Sequence, residues 1–124
     1  MRSLIALMTL VSSLVASGST FAAVNNYQGL WWNAQESGWG INFAHQGDIV
    51  FATWFTYAAD NKPQWYVIRA EKTATHVYAG PVSSFTGPPF SSVPFPPNAN
   101  VKTAVGAATI TFAEDGSSAT LPTR

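Results

Sequence analysis

Gly38-Trp39-Gly40-Ile41-Asn42-Phe43-Ala44-His45-Gln46-Gly47-Asp48-Ile49-Val50-Phe51-Ala52-Thr53-Trp54-Phe55-Thr56-Tyr57 reads as a strand, a turn and a second strand. Trp39, Ile41 and Phe43 alternate with Gly38, Gly40, Asn42 and Ala44. That period of two marks a half-buried strand with small residues on its other face. Gln46-Gly47-Asp48 supplies the turn. Ile49 to Tyr57 is apolar or aromatic on both faces, with Ile49, Phe51 and Phe55 against Val50, Ala52 and Trp54. Such a strand is either central and covered on both sides, or has one face that meets a ligand.

Working outward, Asp60-Asn61-Lys62-Pro63 turns the chain into a third strand over Gln64–Ala70, and a fourth is expected over Thr75–Gly80. Between 81 and 100, Pro81, Pro88, Pro89, Pro94, Pro96 and Pro97 fall among Phe85, Phe90 and Phe95. A proline-rich run cannot donate a regular hydrogen-bond ladder, so a loop is expected there. Its phenylalanines either tuck onto the sheet or make a flap over a binding mouth. Strand character resumes over Val101–Gly106 and Ala107–Phe112, Asp115-Gly116 turns, and Ser118–Leu121 begins one more strand. The fold class is therefore all-β, an antiparallel meander that closes into a barrel or stays a partly open barrel or sandwich. A sheet that stops on a strand just begun leaves an edge open to self-association or to pairing with another chain.

At the N-terminus, Arg2 precedes the apolar run Leu4–Val11, and small residues close the segment up to Ala23. That is the pattern of a secretory signal peptide over residues 1–23, cleaved after Ala22 or Ala23, with the run too short for a spanning helix. The expected mature protein is one domain, residues 24–124, exported to the periplasm or the extracellular space and without a membrane anchor. The absence of cysteine leaves neither disulfides nor thiolate metal sites to stabilise it. Six basic and six acidic residues, dispersed without runs, give nucleic acid no electrostatic footprint to meet.

All five tryptophans, Trp31, Trp32, Trp39, Trp54 and Trp65, lie between residues 31 and 65. They form either an aromatic core or a ligand platform. Adjacent Trp31 and Trp32 point to opposite faces of a strand, so one of them is expected to expose its ring. Of the carboxylates, Asp48 and Asp60 belong to turns, whereas Glu36 lies between the tryptophan pair and Trp39, placed to cap a turn, pair with Arg69 or contact a ligand. No pair of carboxyls is arranged for glycoside hydrolysis, no Gly-x-Ser-x-Gly elbow is present, and His45 and His76 have no third metal ligand at a recognised spacing. The expectation is a non-enzyme without cofactor or metal. It binds a small molecule or glycan through Trp32, Glu36, Trp39 and Asn42, with Asn33 and Gln64 as further polar contacts and Gly38 and Gly40 leaving the surface open. The alternative is a structural or assembly domain that pairs through its open edge.

The blocks Trp31-Trp32-Asn33, Glu36-Ser37-Gly38-Trp39-Gly40-Ile41-Asn42, His45-Gln46-Gly47, Phe51 to Tyr57 and Lys62-Pro63-Gln64-Trp65-Tyr66-Val67, taken together, resemble a family of exported proteobacterial Trp-rich β modules. These occur alone, in tandem or appended to secreted hydrolases. The resemblance runs from Tyr27 to Leu121 and implies kinship but no ligand or activity. Relatives of that kind continue with another hairpin beyond Ala119-Thr120-Leu121, so it also implies a truncation or a frameshift at the C-terminus and a sheet that need not close. Gly29-Leu30-Trp31 is similar to the Gly-x-Trp that opens calycins such as lipocalins and avidins, which implies a calycin-like barrel with a ligand at its mouth.

Overall fold

The computed structural model describes residues 26–121; the expected signal peptide and Pro122–Arg124 lie outside them. The described residues contain seven strands and no helix. The strands are β1 (Gly29–Trp31), β2 (Gly40–Gln46), β3 (Ile49–Tyr57), β4 (Pro63–Ala74), β5 (Val77–Thr86), β6 (Val101–Phe112) and β7 (Ala119–Thr120). They form one antiparallel sheet in chain order, a meander. The sheet is curled into an open half-barrel.

The hairpins follow the turn chemistry. Gly47 and Gly116 take positive φ, as does Asn61 in the β3–β4 turn, where the Asp60 carboxylate accepts from the Lys62 amide (3.2 Å). Register then puts alternate residues inside. Ile41, Phe43, Val50, Ala52, Ile68, Ala70, Tyr78, Ala108, Ile110 and Phe112 are buried on the concave face, joined by Tyr27 from before β1. Fully burying Phe43, Ile68 or Ile110 contributes about 1.5–3 kcal/mol each.

Several sequence expectations need correction. β3 is not covered on both sides. Its outer residues Phe51 and Phe55 are exposed on the convex face, where Phe55 pairs with Trp65 and Trp65 stacks on Phe85 at 5.6 Å. The fourth strand begins at Val77 rather than Thr75, because Thr75 and His76 form the turn, His76 at φ 61°. It also runs six residues past Gly80, so the loop begins at 87 rather than 81. Pro81 is tolerated inside β5 because the β4–β5 register passes from Ile68↔Val82 to Glu71↔Ala79, leaving Pro81 to face Ala107 of β6. At Gly80 the strands approach so closely that a Cβ would lie 2.0 Å from the Arg69 carbonyl oxygen. In the remaining loop Phe90 and Phe95 are exposed and do not tuck onto the sheet.

Candidate functional site

The concave face is rich in aromatics throughout, but they are used in two ways. Near the β2–β3 and β4–β5 turns the rings pack on one another. Tyr27 stacks on Phe112 at a centroid distance of 3.7 Å and on His45 at 5.3 Å, and Tyr78 meets both Tyr27 and Phe112 edge-on. Their polar atoms are tied as well. The Tyr27 hydroxyl hydrogen-bonds His76 Nδ1 (2.5 Å), the Tyr27 amide donates to His45 Nδ1 (3.2 Å), and the Tyr78 hydroxyl hydrogen-bonds His45 Nε2 (3.2 Å). Because a backbone N–H can only donate, His45 Nδ1 is the acceptor nitrogen and Nε2 carries the proton, directed at the Gly47 carbonyl (2.8 Å). Burial, with Tyr27 and Asp48 adding, holds the Tyr78 phenol above its ordinary ionisation range. His45 is thus part of a packed and hydrogen-bonded plug.

On the other side of this plug the facing segment is small apart from Leu121, and among the described residues Trp32 and Trp39 pack on no other ring. A cavity of about 750 Å³ opens between the β1–β3 side of the sheet and the segment Ser117–Leu121. That volume is within the range of ligand pockets. Trp31, Trp32, Trp39 and Trp54 line it, with Ile41, Phe43 and Ile110 as its floor. Polar groups come from Asn33, Glu36, Thr56, Ser117, Ser118 and Thr120; Glu36 is the one charged side chain among the described residues that line it.

The β1–β2 loop sets the tryptophans in place. The Asn33 side chain accepts from the Gln35 amide (3.0 Å) and the Asn33 carbonyl from the Glu36 amide (3.0 Å), which folds the loop back. Glu36 Oε2 then accepts from Trp39 Nε1 (3.1 Å), fixing the indole and the carboxylate against each other. Trp31 donates its Nε1 to the Tyr27 carbonyl (3.0 Å) and packs edge-on to Phe43 and Phe112, so it is anchored to the plug. Trp32, the first residue beyond β1, stands 69% exposed at the cavity wall. Trp54 packs on Tyr66 at 5.3 Å, and its Nε1 is buried without a hydrogen-bond partner among the described residues. Leaving such a donor unpaired costs about 1–3 kcal/mol.

Of the four residues expected to form a site, the structure brings together Trp32, Glu36 and Trp39. Asn42 is not with them. It is exposed between buried Ile41 and Phe43, on the opposite face of β2. Gln64 likewise stays out of the cavity, bonding the Trp65 carbonyl, and Trp65 belongs to the convex face. Glu36 does not pair with Arg69, whose partner is Glu71. Gly38 and Gly40 do not open the surface for a ligand. Gly38 (φ 111°) lies against Tyr57, and a Cβ on Gly40 would approach the Trp31 carbonyl to 3.3 Å, so both glycines serve loop closure. No residue from 87–100 lines the cavity, so that loop is not a flap over it. Thr56, Ile110 and the Ser117–Leu121 segment were not expected at the site. The alternation of β3 marked the face of Thr56 and Trp54, but no local signal places β7 opposite β1. No family model, curated protein or solved structure matches the chain.

Proposed function

We propose that the protein is an exported, non-catalytic binding module that takes a small ligand or carbohydrate into the concave cavity, kin to the Trp-rich exported β modules it resembles. The observation that carries this reading is the change in aromatic use along one face. Tyr27, Phe43 and Phe112 fill the space between strands, whereas Trp32, Trp39 and Trp54 leave about 750 Å³ beside a loop that holds Trp39 and Glu36 rigidly. Aromatic walls with a few fixed polar groups are how small-molecule sites recognise their ligands. The non-catalytic part of the reading is supported by Glu36 being the one carboxylate among the described residues of the lining, since glycoside hydrolysis ordinarily needs two across a cleft.

The test is a glycan and small-molecule array followed by substitution. Trp32→Ala should weaken binding of a hit by ~1–3 kcal/mol while the protein stays folded. Trp39→Phe should also weaken it, because the ring remains but its hydrogen bond to Glu36 is lost. Unfolding of both variants, or a hit indifferent to both, would remove the site and leave the second reading. That reading is assembly through the β6 edge, supported by the pairing of β7 with Thr111 and Phe112, which among the described residues leaves the preceding part of β6 without a partner strand on that side.

A further inference from the structure

We propose that the protein docks on a lipid surface by dipping the tip of the 87–100 loop into the boundary between headgroups and acyl chains of one leaflet. The loop lines no part of the cavity, so the proposal goes beyond the binding-module reading and does not rest on it. Such docking spans nothing and is reversible, which distinguishes it from a membrane anchor.

The loop holds large apolar side chains in water. Phe90 is 100% exposed, Val93 94% and Phe95 54%. A closed loop keeps them there. Its ends meet at the base, where a Cβ on Gly87 would lie 3.7 Å from the Asn100 Cα. Two turns fold the span between, the Ser92 amide donating to the Pro89 carbonyl (3.0 Å) and the Ala99 amide to the Pro96 carbonyl (3.2 Å). Phe90 is a corner residue of the first turn. Its backbone also suits an apolar medium. Pro88, Pro89, Pro94, Pro96 and Pro97 bring no N–H that must be stripped of water, and the Ser92 and Ala99 amides are bonded within the loop. No Asp, Glu, Lys or Arg falls between Thr73 and Val101. A protein partner would tolerate amides and charges in such a loop, whereas a lipid surface penalises both.

The strands behind the loop continue the pattern. β3 and β5 run the same way in the meander, so the ends of both lie at the loop's end of the sheet. There Phe85 stacks on Trp65, Trp65 pairs with Phe55, and Tyr57 closes β3; Phe55, Tyr57 and Trp65 are each about half exposed. Phenylalanine and valine at the tip with tryptophan and tyrosine behind them is the order in which side chains settle across a bilayer interface. Charge is distributed in reverse. Asp48, Glu71, Lys72, Glu114 and Asp115 lie in or beside the turns of the opposite end. At the loop's end Asp60 and Lys62 offset one another at 2.9 Å, and Glu36 of the β1–β2 loop is turned to Trp39. Lys102, exposed at the loop's base, has a stem long enough to reach headgroup phosphates.

The test is co-sedimentation of the protein recovered after export with phosphatidylcholine vesicles, alone and mixed with phosphatidylglycerol. Both should bind it, and binding should survive high salt, because apolar burial rather than charge drives it. Phe90→Ser combined with Val93→Ser should weaken binding at least about tenfold and leave the unfolding midpoint unchanged, since both side chains stand clear of the domain. Phe90→Trp should add an indole whose emission moves to the blue on vesicles and is quenched by brominated acyl chains. Binding that is lost in high salt, or is indifferent to the double variant, overturns the insertion. A double variant that turns a dimer into a monomer, with no vesicle bound by the native protein, overturns it in favour of a contact between copies of the chain. Absence of sedimentation with either vesicle overturns it and leaves the cavity reading as it stands.

Discussion

The two halves of the concave face hold similar side chains and do different things with them. In the plug, each ring meets another ring from across the sheet: Tyr27 from before β1 meets Phe112 from β6, and Tyr78 and His45 close the remaining sides. In the cavity half, the rings of β1, the β1–β2 loop and β3 face Ser117, Ser118, Ala119 and Thr120. Aromatic density therefore does not separate core from site. What the opposite strand supplies decides it, since a large partner makes a core and a small hydroxylic one leaves a pocket.

The difference predicts a steep contrast in stability. Phe112→Ala removes the ring on which Tyr27, Trp31, Phe43 and Tyr78 all pack, and should cost about 3–5 kcal/mol in urea unfolding. A loss under about 1 kcal/mol would mean the plug is not the core it resembles.

Tyr78→Phe should cost less, about 1 kcal/mol, for the hydrogen bond to His45. It also carries a pH signature. The folded protein holds the phenol's ionisation above the unfolded value of 10.0, so the contribution is fully present below about pH 10 and is lost as pH rises through the folded value. The unfolding midpoint of the native protein should fall in that alkaline range, and the fall should be shallower in the variant. Identical alkaline profiles would contradict burial of this hydroxyl.

At the cavity, Trp32→Ala should change stability by no more than about 0.5 kcal/mol, because the ring is exposed and packs on little. A loss comparable to that of Phe112→Ala would erase the contrast between the halves. The smallest effect is expected at the β6–β7 turn. There the Ser117 hydroxyl and amide hold the Asp115 carboxyl below its ordinary range, so its contribution is present above that range and lost as pH falls through the lowered value. Asp115→Asn should remove only a slight acid dependence from thermal unfolding of this exposed hairpin, and a marked loss of stability at neutral pH would show the turn to matter more than its exposure allows.

Local chemistry made much of the fold legible. The alternation around Ile41 and Phe43, the Gly47 turn and the unbroken run Ile49–Tyr57 specify the central hairpin, and β3 keeps those bounds. Sequence reading failed where a long-range partner overrides local preference. Pro81 argued for a loop, yet β5 continues through it because the ladder to β4 lapses there while β6 still pairs. The site was half legible. Trp32, Glu36 and Trp39 are neighbours in one loop and were found by proximity. Asn42 is close to Trp39 in sequence, but the alternation of β2 sets it on the face opposite Ile41 and Phe43, so closeness along the chain misleads there. The hydroxyl wall was invisible, since only the curl of the sheet brings residues near 120 opposite residues near 31.

The central claim, that Trp32, Trp39 and Trp54 serve a ligand while Trp31 and Trp65 serve the fold, is most directly tested by following the five indole N–H signals in a nitrogen-15 correlation spectrum during titration with hits from the glycan and small-molecule array. A hit that binds should shift the signals of Trp32, Trp39 and Trp54 and leave that of Trp65, on the convex face, in place. Movement of Trp65 with Trp32 and Trp39 unmoved, or five signals indifferent to every probe, would contradict it.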